Sequence, residues 1–412
     1  MEYGCIGEHL GHSFSKEIHA LLAPYGYELL ELAPSDVDAF MREKNFKAIN
    51  VTIPYKETVL PYLSPADDGA KTIGAVNTVV NRGGKLFGYN TDFYGMISLI
   101  RHARIEVKGA KVAVLGTGGT SKTAVAVSKY LGASCVRSIS RSGKDGALTY
   151  DELYSSFSDA EIIINTTPVG MYPENDGLPV ELDRLPCVRG VIDAVYNPLR
   201  TRLVTEAAKR GIRSEGGLYM LTAQGVRASE IFLGTKYGDD TCEAVYKKIL
   251  ASKENIVLTG MPGCGKSTVG KLLSESTGRP LFDTDEEIIK LSGKPIKAIF
   301  SEEGEKAFRN LESKVIKEIS KKSGVIIATG GGAVMRAENI DALCGNGKIF
   351  FIDRQVSELV PTEDRPLAAD IQSIEKIYKE RYETYLRTAD IRIEASGNTV
   401  QTANEIRKCN EI

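Results

Sequence analysis

Residues Asn255 to Thr268 read N-I-V-L-T-G-M-P-G-C-G-K-S-T, an apolar run that breaks into glycines and then enters a helix-forming stretch, S-T-V-G-K-L-L-S. Gly260, Gly265, Lys266 and Ser267 satisfy the pattern G-x-x-x-x-G-K-S/T. In that pattern backbone N–H groups cradle phosphates, the lysine neutralises them and the hydroxyl helps to hold magnesium. The stretch therefore predicts a strand, a phosphate loop and a helix, with a nucleoside triphosphate held by Gly260, Gly263, Cys264, Gly265, Lys266, Ser267 and Thr268. Cys264 reads as a small residue that the loop tolerates.

A second cradle lies upstream. Val114 to Thr123 reads V-L-G-T-G-G-T-S-K-T, and Gly116, Gly118 and Gly119 again stand between a strand, K-V-A-V-L, and a helical stretch closed by Gly132. Glycines there let the backbone turn tightly and approach a pyrophosphate at the helix N-terminus, as in a dinucleotide site. The next strand ends in S-I-S-R-S (Ser138 to Ser142). An NAD site places an acid at that point, whereas Arg141 suits the 2′-phosphate of NADP, with Ser140 and Ser142 beside it.

Two cradles need more than one core. A chain of 412 residues exceeds what a single core supports, and short strands alternate with helical patterns throughout, which predicts α/β units with mostly parallel sheets. The boundaries read as a substrate-binding part over 1–103, with helices over 218–250 packing back on it, and a dinucleotide domain over 104–217. A polar linker over 251–254 then leads to a triphosphate domain over 255–412. In the first part the hairpin A-V-N-T-V-V-N-R-G-G-K-L-F-G turns at R-G-G-K.

A net charge of −2 gives no footprint for nucleic acid or anionic lipid, and the apolar runs are too short to span a bilayer. The seven cysteines are scattered and never spaced C-x-x-C, which points to a reducing cytoplasm without disulfides or zinc knuckles. The N-terminus M-E-Y-G-C-I-G-E carries no signal-like pattern. The expected partners are small molecules, with neither nucleic acid nor membrane. Oligomeric state is not legible, and a monomer is compatible with the pattern.

The first part carries H-S-F-S (12–15), N-V-T-I-P-Y-K (50–56), G-A-V-N-T (74–78) and G-Y-N-T-D (88–92), each where a strand gives way to a loop or helix. Such a ring of hydroxyls and amides suits a small polyol acid. Together with D-A-V-Y-N-P (193–198) and G-L-Y-M-L-T-A-Q (217–224), these motifs resemble shikimate dehydrogenase over about the first 250 residues. The resemblance implies that Ser13 and Ser15 hold the substrate carboxylate, that Thr52, Asn77 and Gln224 bind its hydroxyls, and that Tyr196 lines the pocket. It also implies that Lys56 and Asp92 form the catalytic pair. The chemistry agrees, because a ketone that accepts hydride becomes an alkoxide that must gain a proton, which a lysine beside a carboxylate can give. Lys16, Ala20 and Tyr219 depart from the usual proline, asparagine and glycine of that family, and none is a proposed catalytic group.

Downstream of the triphosphate loop, L-F-D-T-D places Asp283 and Asp285 two residues apart at a strand end, predicted to project to one side. G-E-K-A-F-R-N-L-E offers Arg309, A-T-G-G-G-A-V offers Gly331 and Gly332, and R-Y-E-T-Y-L-R-T-A-D offers Arg381. This set resembles shikimate kinase over about 254–412. By that resemblance Arg309 and Arg381 bind the substrate carboxylate, Asp285 orients or deprotonates the attacking hydroxyl, and Gly331 and Gly332 contact the substrate. Ser267 and Asp283 serve magnesium, while Arg365 in D-R-P-L comes from a closing lid to meet ATP; that lid is shorter than usual. The implied whole is an enzyme with two consecutive activities using NADP(H), ATP and Mg2+: reduction of 3-dehydroshikimate, then phosphorylation of shikimate. The alternatives are a non-catalytic sensor of shikimate or quinate built on the same folds, or a quinate dehydrogenase in the first half.

Overall fold

Each run of short apolar strands builds its own five-stranded sheet, three in all among the described residues. The computed structural model describes residues 1–11, 13–64, 74–359, 371–395 and 398–410. The chain divides into two units, Met1–Ile249 and Leu250–Ile412.

In the first unit, β1 (Tyr3–Gly7), β2 (Tyr27–Glu31), β3 (Ala48–Val51), β4 (Thr78–Arg82) and β5 (Lys85–Tyr89) lie in the order β2-β1-β3-β4-β5. The first three are parallel, and β4 and β5 run antiparallel as the hairpin. Its turn pairs Arg82 with Lys85 around Gly83 and Gly84, at φ +60° and +80°, which is why two glycines stand there. The second sheet, β6 (Lys111–Leu115), β7 (Cys135–Ile139), β8 (Ile162–Asn165), β9 (Gly190–Asp193) and β10 (Arg213–Glu215), has the order β10-β9-β8-β6-β7 and is wholly parallel. Strand order reverses beside β6, the place where such sheets bind ligands at their carboxyl ends.

The helix Leu218–Leu233 joins the two layers of this unit. Its Ala228 and Phe232 enter the apolar cluster under β1 and β3, while Met220 enters the cluster on β6 with Met96, Leu99 and Ile100 of the helix Thr91–His102. These two helices approach so closely that a Cβ on Gly95 would lie 2.7 Å from the Met220 carbonyl.

In the second unit, β11 (Asn255–Thr259), β12 (Leu281–Asp283), β13 (Ile326–Ala328), β14 (Gly347–Asp353) and β15 (Ile391–Glu394) form a parallel sheet ordered β12-β13-β11-β14-β15. Its five central positions from Asn255 to Thr259 are buried on both faces, as the continuous apolar run predicts. Two expectations need correction here. The polar segment 251–254 is no extended linker, because the helix Thr241–Lys253 runs through most of it, and the Ala251 and Glu254 carbonyls accept from the Arg279 guanidinium. Asp283 and Asp285 do not follow strand alternation, because β12 ends at Asp283 and a helix, Thr284–Ser292, begins at the next residue.

Candidate active sites

The carboxyl ends of β1, β3 and β5 and the amino end of β4 gather the first site. Lys56 Nζ lies 2.5 Å from Asp92 Oδ2, with side chains only 14% and 10% exposed. Asp92 sits in the first turn of the helix Thr91–His102, whose N-cap Asn90 accepts from the Phe93 N–H at 3.1 Å. That start fixes where the carboxylate points. Its second oxygen accepts from Asn77 Nδ2 at 2.9 Å. The other amide hydrogen of Asn77 reaches Thr91 Oγ1 at 3.0 Å, and Asn77 Oδ1 accepts the Thr91 N–H at 2.7 Å. Thr91 in turn donates to Gln224 Oε1 at 3.4 Å. Asn77, expected to meet a substrate hydroxyl, is here hydrogen-bonded to Asp92 and Thr91. Thr91 is a functional neighbour that sequence reading passed over, although it stands beside Asp92 in the same motif.

The rim is built from loops. Ser13 Oγ accepts the N–H of Ser15, which opens the helix Ser15–Leu22. Thr52 follows β3, and its N–H donates to the Ile6 carbonyl of β1. Gln224 comes from the buried face of the helix Leu218–Leu233. The Tyr196 ring packs 5.3 Å from that of Phe14, and burial pushes its hydroxyl up to about 12, with the Cys5 thiol adding to the shift. Cys5 is itself pushed up to about 12 by burial, against the opposing charge of Lys56, so it is a neutral thiol within the apolar cluster. His19 is buried and stacked on Tyr27 at 3.9 Å, and burial holds it neutral, down to about 3.

Facing this pocket is the loop after β6. A Cβ on Gly119 would lie 3.8 Å from Lys56 Cδ, so the glycine turn and the lysine share one cleft. Gly116, at φ +112°, leaves only 2.8 Å to Thr166 Oγ1 for a Cβ. Gly118 caps the helix Gly119–Tyr130, whose leading N–H groups face a place for phosphate. Beyond β7, Ser140 Oγ accepts the Gly143 N–H at 3.1 Å, while Arg141 and Ser142 are exposed. Among the described residues no carboxylate pairs with Arg141. A free guanidinium and an exposed N–H turn fit the phosphates of NADP.

In the second unit Gly260, Gly263 and Gly265 have φ of +145°, +81° and +97°, so the loop depends on glycine at all three. Cys264 is buried inside it, and Gly265 opens the helix Lys266–Thr277 that carries Ser267 and Thr268. Lys266 Nζ donates to the Gly260 and Met261 carbonyls at 2.8 and 2.9 Å. Ser267 donates to Asp283 Oδ2 at 2.5 Å, and Asp283 Oδ1 accepts the Asp285 N–H at 3.0 Å. A hydroxyl and a carboxylate in contact beside a phosphate loop fit magnesium, which binds through one or two protein oxygens and the nucleotide phosphates. Among the described residues no three His, Cys, Asp or Glu side chains gather as a metal cage.

Across the carboxyl end of β13 lie the groups for a second substrate. A Cβ on Gly330 would fall 3.0 Å from Asp285 Oδ1 and 2.8 Å from Glu312 Oε1. The Arg309 guanidinium lies against Gly332, 2.3 Å from where a Cβ would stand. Arg381 Nη1 and the Tyr385 hydroxyl both donate to the Gly331 carbonyl. Glu312, fully buried on the helix Ile296–Ser320, accepts from Arg309 Nη1 at 2.8 Å. Burial pushes Glu312 upward while Arg309 opposes it; in return Glu312, ahead of Glu305, carries Arg309 above its usual value despite burial. Glu312 escaped sequence reading, though its place three residues after Arg309 on a helix was the signal. Arg365 lies outside the described residues.

Comparison with known proteins covers both units. The shikimate dehydrogenase substrate binding domain model matches residues 5–79, and the shikimate kinase model matches residues 262–411. The shikimate dehydrogenase (NADP(+)) of Clostridium perfringens (strain 13 / Type A) is 34% identical over 267 residues, covering 60% of this chain and 97% of that one. Shikimate dehydrogenase 1 from Peptoclostridium difficile superposes with a TM-score of 0.56 at 34% identity, over 60% of this chain and 98% of its own. A Thermus thermophilus shikimate 5-dehydrogenase solved with NADP(H) and shikimate gives 0.54 at 27% identity, over 60% and 99%.

Proposed function

The chain belongs to the shikimate dehydrogenase family and carries a shikimate kinase domain after it, and we propose on that premise how its residues divide two consecutive reactions. It is a bifunctional shikimate-pathway enzyme that reduces 3-dehydroshikimate with NADPH and phosphorylates the shikimate formed with MgATP. The observation that carries the division is the placing of Lys56 across from the Gly116–Gly119 turn in one unit, while Lys266, Asp283 and Asp285 converge in the other.

For reduction, residues 1–103 with 218–250 bind substrate and residues 104–217 bind cofactor. NADPH, when bound, supplies the hydride. Ser13 and Ser15 hold the substrate carboxylate, Thr52 and Gln224 its hydroxyls, and Tyr196 closes the side. Lys56 Nζ, held by Asp92, gives its proton to the carbonyl oxygen as negative charge develops there. Asn77 and Thr91 keep Asp92 in place for that transfer.

For phosphorylation, residues 255–412 provide the whole site. MgATP, when bound, supplies the phosphoryl group and the metal that neutralises its charge. Arg309 and Arg381 anchor the shikimate carboxylate, Gly331 and Gly332 let the ring approach the backbone, and Asp285 accepts the proton of the attacking hydroxyl. Lys266 turns its ammonium from the loop carbonyls to the phosphates, Ser267 and Asp283 hold magnesium, and Arg365 meets the transferring group. All seven cysteines are free, which fits a cytoplasmic setting. No helix among the described residues is long and apolar enough to cross a membrane. Supplying the purified chain with 3-dehydroshikimate, NADPH and MgATP should consume NADPH and release ADP in sequence. ADP release that is absent even when shikimate is added directly would refute the kinase half.

A further inference from the structure

Arg309 is held from two sides by carboxylates of different character. Its Nη1 donates to Glu312 Oε2 at 2.8 Å, and Glu312 is wholly buried. Its Nε and Nη2 both reach a single oxygen of Glu305 at 3.3 Å, and Glu305 is 53% exposed. The first contact is short and locked in the core. The second is long, monodentate and open to water.

The Nε and Nη2 edge is the one on which a guanidinium takes a carboxylate by two parallel bonds. Glu305 covers that edge without making both of them. It is also the first residue after Gly304, whose φ of +83° interrupts the helix Ile296–Ser320, so its backbone adjoins a break rather than an unbroken helix. Resting on the reading of Arg309 as the anchor of the shikimate carboxylate, we propose that Glu305 is a built-in competitor for that carboxylate. The substrate gains the Arg309 edge only as Glu305 swings out to solvent. Glu305 thereby sets the affinity of the kinase unit for its acidic substrate, and Glu312 keeps the guanidinium fork in place while the partners exchange.

A long pair one helical turn apart whose carboxylate is open to water is weak, so the competition is mild, and removing it should lower the KM for shikimate by about two- to fivefold. The test uses the full chain at saturating MgATP, with ADP release followed as shikimate is varied. Glu305→Gln and Glu305→Ala should both lower KM and leave kcat unchanged. Their advantage over wild type should shrink in about 1 M salt, where the screening length falls to about 3 Å. Arg309→Lys, which loses the fork but keeps the charge, should raise KM. If Arg309→Lys raises KM but neither glutamate variant lowers it, Glu305 does not compete and the proposal falls alone. If Arg309→Lys leaves KM unchanged, the anchoring role of Arg309 fails and the proposal goes with it.

Discussion

Replacing Asn77 by alanine separates two roles for this side chain, a ligand of substrate or a support for the catalytic acid. Asn77 is 3% exposed and joins Asp92 Oδ1 at 2.9 Å, Thr91 Oγ1 at 3.0 Å and the Thr91 N–H at 2.7 Å. Alanine removes a bond to a charged group, worth about 1.5–3 kcal/mol, and strips the acceptor from a buried N–H, at about 1–3 kcal/mol. These losses overlap, because water can enter the gap, so the first unit should lose about 2–4 kcal/mol of stability and remain folded. The kinetic effect is larger in kind. Asp92 would keep Lys56 but lose the contact that fixes its rotation, and displacements on the order of 1 Å at a proton-transfer centre cost roughly 10²-fold. We therefore expect kcat for 3-dehydroshikimate reduction to fall about 10²-fold, the KM to stay within about threefold, and phosphorylation by the same protein to be unaffected. Steady-state NADPH oxidation gives kcat and KM, ADP release gives the phosphorylation rate, and thermal melting establishes folding. A tenfold or greater rise in KM at preserved kcat would show that Asn77 binds substrate directly, and the support reading would be wrong.

Three further outcomes follow from the same geometry. Lys56→Ala should abolish reduction and spare phosphorylation, and Lys266→Ala should do the reverse; loss of both activities in either folded variant would refute separate sites. Arg141→Ala should weaken NADPH binding far more than NADH binding in a fluorescence titration, and equal losses would remove Arg141 from the 2′-phosphate. Asp193 is pushed up to about 7 by burial, against the donors Thr201, Val195 and Asn165, from an ordinary value near 3.8. Its folded value is raised, so the stability it contributes is complete below about pH 4 and is lost as pH rises through about 7, by up to roughly 4 kcal/mol. Melting curves between pH 5 and 8 should show a shallower fall for Asp193→Asn than for wild type, and identical slopes would refute the assignment.

What the sequence made legible was whatever the chemistry restricts to one residue type over a short span. Only glycine tolerates the backbone of Gly260, Gly263 and Gly265, so the phosphate loop announced itself. The R-G-G-K turn did so for the same reason. Reading failed where a residue's role depends on a neighbour distant in the chain. The segment 251–254 reads as a linker because it is polar, yet its Ala251 and Glu254 carbonyls accept from the distant Arg279 guanidinium. Asp283 and Asp285 were paired by a strand rule, but the helix that starts between them makes Asp283 a cap whose two oxygens serve Ser267 and the Asp285 N–H.

The same distinction runs through both sites. Lys56, Asp92, Arg309 and Asp285 were proposed because they stand in motifs that resemble two known families. Glu312 and Thr91 were missed because orienting a charged group can be done by any donor or acceptor that packing delivers. The consequence is that the proposed catalytic groups alone do not define either site. A lysine and an aspartate with no Asn77 would still form an ion pair, but the carboxylate could turn. An Arg309 without Glu312 would keep its charge, yet nothing in the core would fix its fork against Gly332. Transplanting only the motif residues into another α/β scaffold should therefore carry over binding of the ligands more fully than the rates, because the supports reside in contacts that no short motif contains.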